Sequence, residues 1–292
     1  MPHRLRRRLR RRPRCPRGIL AAVPFQNRLD VAQGIFQVKL YNGTAEPLAV
    51  AAVQLVRDGM TSELSARSNT LAAGDRIDFP VTLAPARCVG DGTLAEMPPV
   101  DLASVRVVLR SGGDVDAPVF DLKRFAQKLY LEDCGRQRIV ATVDVEWGDL
   151  HETVLEGRPV TEGMLRLARL AGADDQTIVV SSLSNTIIFT VTAGTPDDNG
   201  TDGDVAVLAA GDTTVAVAVL FVEGRCDAHA RSEASQPFQF FAQIDLGDGI
   251  VRPFAVVPEM TDQAPMRARL DRACEILGTG GFAGQSTNTT LP

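Results

Sequence analysis

The chain has 292 residues, 45% of them hydrophobic, and a formal net charge of −5. It is too apolar for a disordered chain and long enough for two domains with separate cores, and no run approaches the roughly 18 uninterrupted apolar residues that span a bilayer. The charge is uneven: residues 1–17 hold nine arginines and no acid, and the remainder carries 22 basic against 36 acidic side chains. Such an acidic body argues against a nucleic-acid-binding face of clustered Lys and Arg on the folded part.

In chain order, residues 1–29 read as a basic tail outside the folded body. As an export signal the tail fails, because Gly18-Ile19-Leu20-Ala21-Ala22-Val23 is too short an apolar segment before Pro24. Two readings of the arginines stay open. One is a start placed upstream of the natural one; the other is an arm that binds nucleic acid or anionic lipid by charge alone.

From residue 30 on, most apolar segments are short, β-branched and alternating, the pattern of half-buried strands. In the first half they predict strands over Phe36–Tyr41, Leu48–Val56, Ile77–Leu83, Val105–Leu109, Val119–Leu122 and Ile139–Trp147. In the second half the expected strands are Met164–Leu170, Thr177–Leu183, Ile187–Thr192, Thr214–Val222, Phe238–Leu246 and Val251–Val257. Turn-forming clusters separate them, among them Asn42-Gly43, Gly112-Gly113-Asp114, Asp197–Asp204 and Gly247-Asp248-Gly249. Each half also holds a short stretch of helical character, Asp121–Cys134 and Ala264–Cys274. The expected fold is all-β: two tandem Ig-like antiparallel β-sandwiches at 30–149 and 161–278, a linker at 150–160 and a flexible tail at 279–292.

The two halves repeat one another. Leu71-Ala72-Ala73-Gly74-Asp75, an alternating run, Arg87-Cys88 and then Cys134 are echoed by Leu208-Ala209-Ala210-Gly211-Asp212, a similar run, Arg225-Cys226 and then Cys274. Asp75 and Cys88 are 13 residues apart and Asp212 and Cys226 are 14, while the cysteine pairs are separated by 46 and 48. The matched pairs point to disulfides Cys88–Cys134 and Cys226–Cys274, which place the body outside the cytoplasm; buried free thiols in a cytoplasmic protein are the alternative. A zinc site needs closer ligand spacing than either pair offers, and His3, His151 and His229 have no repeat-matched counterparts.

The search for chemistry yields little. His151 and His229 sit in no catalytic motif, and Ser181-Ser182 falls in an expected strand. Asp144 and Glu146 share one face of a strand, but a solvated face opposite Val143, Val145 and Trp147 explains the alternation without a ligand. Asp149 and Glu152 form a second carboxylate pair. The acidic run Asp197–Asp204 misses the calcium-loop pattern. Trp147 follows both cysteines of its half and reads as core or interface packing. An exposed Phe241 would point to a partner surface.

A turn-flanked Leu-Ala-Ala-Gly-Asp before a strand ending in Arg-Cys, with a second Cys after a short helical segment, resembles uncharacterised exported bacterial proteins built from cysteine-bridged Ig-like sandwiches. The resemblance covers about residues 30–280 and brings no functional residues with it. The expected function is that of a non-enzymatic extracytoplasmic protein, secreted or envelope-associated, that binds a protein or envelope component through loops or an exposed sheet edge. No cofactor, metal, specific nucleic acid or transmembrane segment is expected. The alternatives are a nucleic-acid or anionic-membrane binder acting through the arginine tail, and an enzyme with a site between the sandwiches near His151 or His229.

Overall fold

Strand alternation translates directly into burial: in Ile35–Asn42 every second residue, Phe36, Val38, Leu40 and Asn42, is buried. The structure, a computed structural model, describes residues 18–27, 30–31, 33–89, 103–121, 123–194 and 203–280. The chain divides into two units, Met1–Asp133 and Cys134–Pro292. The fold is all-β and of sandwich type, with antiparallel sheets and three helices among the described residues.

In the first unit the strands are β1 (Leu20–Phe25), β2 (Ile35–Asn42), β3 (Leu48–Val56), β4 (Asn69–Leu71), β5 (Arg76–Thr82), β6 (Ser104–Leu109) and β7 (Asp114–Pro118). They form two sheets, β1-β2-β5 and β4-β3-β6-β7. Phe36, Val38, Leu40 and Phe79 from one sheet meet Val53, Leu55, Val105 and Val107 from the other in one core. Each such side chain, fully removed from water, stabilises the unit by roughly 1.5–3 kcal/mol before conformational entropy is charged against it.

Helix α1 (Phe125–Thr142) begins in the first unit and ends in the second. Asp121 starts it, its two carboxylate oxygens accepting from the Phe125 and Ala126 N–H groups at 2.7 Å each. In the second unit follow β8 (Val143–Leu155), β9 (Arg158–Arg169), β10 (Ile178–Leu183), β11 (Phe189–Ala193), β12 (Ala206–Leu208), β13 (Thr214–Glu223), α2 (Ala228–Glu233), β14 (Phe240–Asp245), β15 (Val251–Val256) and α3 (Met260–Gly280). Their sheets are β8-β9-β13-β11 and β12-β10-β14-β15. The strand orders match those of the first unit position for position, with β8 standing where β1 stands and β11 added at the far edge. The core closes around Trp147, whose ring meets Phe221 at 4.9 Å and Phe240 at 5.8 Å, both edge-on.

The Leu-Ala-Ala-Gly-Asp landmark is the same turn in each unit. The Asp75 N–H donates to the Ala72 carbonyl and that of Asp212 to Ala209, both at 3.1 Å, with Gly74 and Gly211 at φ +80° and +86°. A polar side chain at the end of the second strand of each unit ties this turn down. In the first unit the buried Asn42 Nδ2 donates to the Glu46, Leu71 and Ala72 carbonyls. In the second unit Arg169 does the same work, donating to the carbonyls of Asp174, Gln176, Ala209 and Asp212. Cys226 and Cys274 form a disulfide with Cα atoms 5.4 Å apart, and Cys88 and Cys134 are disulfide-bonded as well.

Several expectations need correction. Residues 20–25, assigned to the tail, are strand β1 of the first sheet, and residues 1–17 lie outside the described residues. Residues 150–160 are no linker: β8 and β9 form a continuous hairpin across them, paired from Val143–Arg169 to Leu155–Arg158. The first sandwich therefore does not extend to 149, and the division falls between Asp133 and Cys134. Ile139–Thr142 are the last turn of α1, so the expected Ile139 strand starts only at Val143 and belongs to the second unit. The strand placed at Val119–Leu122 is β7, four to five residues earlier, because its partners on β6 run from Ser104–Pro118 to Val108–Asp114. Helix α3 extends to Gly280, into the segment read as a flexible tail; 281–292 lie outside the described residues.

Candidate functional site

Among the described residues, those with catalytic chemistry do not converge. The exposed His151 places Nδ1 2.7 Å from the Asp149 carbonyl and Nε2 3.7 Å from Glu162. His229 lies exposed on α2, 3.6 Å from Glu233 one turn on. The α2 N-cap, Asp227, accepts from the Ala230 N–H, and that bond lowers the Asp227 carboxyl below the ordinary carboxylate value. Ser181 and Ser182 lie in β10 and Phe241 is half-buried. Of the acidic run Asp197–Asp204, residues up to Asp202 lie outside the described residues. Asp144 and Glu146 are exposed opposite the buried Val143, Val145 and Trp147.

What stands out is the strand that carries them. At 13 residues β8 is longer than the usual range for strands in globular proteins, and it lies at the edge of its sheet. Hydrogen bonds alternate along an antiparallel pair. The Leu170 N–H donates to the Thr142 carbonyl, so positions 144, 146 and 148 address β9 while Val145 and Trp147 turn their N–H and C=O groups to the open side. Between Gly148 and His151 the register shifts, and beyond this bulge Glu152 and Val154 face outward. Among the described residues no segment other than β9 takes a backbone hydrogen bond from β8.

The bulge has a packing cause. It carries Leu150 over Gly163 and onto the core, where a Cβ on Gly163 would lie only 2.4 Å from a Leu150 methyl. Asp149, at φ +53°, turns the chain and pairs with Arg166, whose other terminal nitrogen lies 4.0 Å from Glu146. Farther out Glu152 meets Arg272 at 2.5 Å and Arg269 at 3.5 Å on α3, and Arg158 bridges Glu156 and Glu223. The hairpin arm is thus held by ion pairs while Val154 stays 68% exposed on its edge.

The start of β8 is fixed by a second cluster. Asp248, in the β14–β15 turn, accepts from both terminal nitrogens of the buried Arg252, at 2.9 and 2.7 Å, and lies 3.1 Å from Arg138 on α1. The Arg252 stem rests on Gly135, where a Cβ would come within 3.3 Å. Hydrogen bonding from Arg252, joined by the Ile250 N–H and the Arg138 charge, holds the Asp248 carboxyl down at about 2 against the opposing effect of burial. The last turns of α1 are therefore clamped to the sheet just before β8 begins.

Sequence reasoning missed the open edge because it divided the hairpin at its middle. A signal was present: Glu156 and Gly157 both have positive φ, +50° and +79°, the two-residue turn that Leu155-Glu156-Gly157-Arg158 encodes with glycine in second place.

Among the described residues no helix is long and apolar enough to cross a membrane. No family model matches the chain, and no curated protein matches it. Among solved structures the chain is similar to the YadV chaperone, at 11% identity and TM-score 0.21 over 82% of this chain and 98% of that one. It is similar to a protein of unknown function from Porphyromonas gingivalis W83, at 13% identity and TM-score 0.19 over 83% and 100%. It is also similar to the BSP domain of a biofilm associated protein, at 9% identity and TM-score 0.22 over 82% and 59%. At these scores the likenesses carry no argument about what the chain does.

Proposed function

We propose that the chain is a non-enzymatic, extracytoplasmic binding protein built of two tandem Ig-like sandwiches, and that it recognises its partner through the open edge of β8. The observation that carries this reading is the unpaired edge itself: a long strand with free backbone donors and acceptors, held rigid on both sides by ion pairs, is a template for an added strand. The compartment is supported by the oxidised state of Cys88, Cys134, Cys226 and Cys274, since structural disulfides persist in oxidising environments. The matching strand orders support a duplication. A role without catalysis is supported by the histidines, whose contacts are a backbone carbonyl and glutamates rather than a nucleophile.

Backbone amide exchange on the oxidised full chain tests the reading. The Val145, Trp147 and Val154 amides should exchange as free groups while those of Asp144, Glu146 and Thr153 are protected, and envelope extract should slow the first set. Val154→Pro, which removes an outward N–H at an exposed position, should weaken that protection without lowering stability by more than about 0.5 kcal/mol. Slow exchange at Val145 and Trp147 in the isolated protein would mean that the edge is already covered, and the reading fails.

A further inference from the structure

We infer that the strand accepted by the β8 edge is an extended segment bearing basic side chains two residues apart. The inference rests on the open-edge reading and adds the chemistry of the partner. A strand added to an edge sets its side chains directly opposite those of the edge strand, about 4.5–5.5 Å away at Cβ, so same-face neighbours choose the partner. On β8 the exposed outer-face side chains ahead of the bulge are Asp144 and Glu146, followed by Asp149 within it. Asp144 has no ion-pair partner among the described residues, and Glu146 and Asp149 share the single guanidinium of Arg166. Farther out Glu152 is matched by Arg269 and Arg272, whereas from Asp144 to Asp149 three carboxylates against one cation leave net negative charge along the edge. The second unit as a whole adds to it, with 22 acidic against 11 basic side chains in residues 134–292.

The same charges reject a second copy of the chain. Antiparallel pairing of β8 with its counterpart in another copy, centred on Val145, would set Asp144 of each copy against Glu146 of the other, and like charges directly opposite destabilise a strand pair. An incoming strand with Lys or Arg at alternate positions meets Asp144 and Glu146 with both, and its intervening residues continue the face that carries Val145 and Trp147.

The test uses the oxidised full chain and two peptides of about eight residues, a common strand length. One alternates lysine with threonine, the other glutamate with threonine. At low salt the lysine peptide should slow amide exchange at Val145 and Trp147 and bind about tenfold more tightly than the glutamate peptide, a preference that shrinks as salt is added. The double variant Asp144→Lys, Glu146→Lys, at two exposed positions, should keep its unfolding transition and invert the preference. Equal protection by both peptides, or more by the glutamate peptide, leaves the open edge standing and overturns the basic partner. Protection by neither peptide overturns the edge reading and this inference together. Protection of the same amides in a concentration-dependent dimer without peptide makes a second copy the occupant, and the inference is wrong.

Discussion

β1 and β8 occupy the same place in equivalent sheets, yet among the described residues one edge is sealed and the other open. In the first unit the chain leaving β7 runs on beside β1: Val119 forms a parallel bridge with Ala22, and the Phe120 N–H donates to the Ala22 carbonyl at 2.8 Å. In the second unit β15 is followed by Val257 and Pro258, and proline has no N–H to offer before the chain enters α3. A side chain spans the gap instead, the Trp147 indole donating to the Val256 carbonyl at 3.0 Å. The sealed strand has 6 residues and the open one 13. A few residues after the last strand therefore decide whether a sandwich presents an edge, and the shared scaffold is indifferent to the choice.

That comparison presumes two units of like construction, and the largest test is of the crosslink. Cys226→Ala with Cys274→Ala opens a loop of 48 residues. It should lower the stability of the second unit by about 4 kcal/mol in denaturant unfolding, and a negligible change would break the parallel. Next come the turn anchors. Asn42→Ala should cost about 2 kcal/mol in the first unit and Arg169→Ala a similar amount in the second, each read by calorimetry, because carbonyls of the same landmark turn lose their donor. If only one of the two matters, the shared turn is not held alike.

The Asp248 clamp sharpens the difference, since the equivalent β6–β7 turn holds Gly112 and Gly113 and no acid. The Asp248 carboxyl is held at about 2 in the fold, against about 3.9 for an unconstrained aspartate. A lowered folded value means that the pair stabilises above pH ~4, and that this contribution, of the order of 2 kcal/mol, is lost as pH falls toward 2. Asp248→Asn should flatten the dependence of stability on pH in that window, and an unchanged slope would remove the clamp from the account. The smallest effect is expected of Trp147→Phe, which keeps a ring against Phe221 and Phe240 but strips the tie to Val256. About 1 kcal/mol should go, with faster amide exchange along β8 and none along β1.

How far the sequence foretold this molecule depended on punctuation. Strands bounded by Gly, Asn or Asp, such as β3, β6 and β13, fall within a residue or two of their expected limits. β1 was hidden by its company: Ala21 and Ala22 are small, Pro24 follows and the arginines precede. The α1–β8 junction has no glycine or proline from Ile139 to Trp147, so a helical turn and a strand read as one alternating run. Asn42 and Arg169 share a role but not a residue type, and no alignment of letters reveals that carbonyl geometry unites them. The open edge is a property of missing partners, which a local pattern does not record.

Trp147 has one more consequence. It is the single tryptophan of the chain, whereas both tyrosines, Tyr41 and Tyr130, lie in the first unit. The two halves thus carry separate natural fluorophores. Indole emission reports on the second unit alone, from a ring whose N–H rests against the strand beside the open edge, and tyrosine emission on the first. Loss of one half while the other persists can be followed by light, with no label attached.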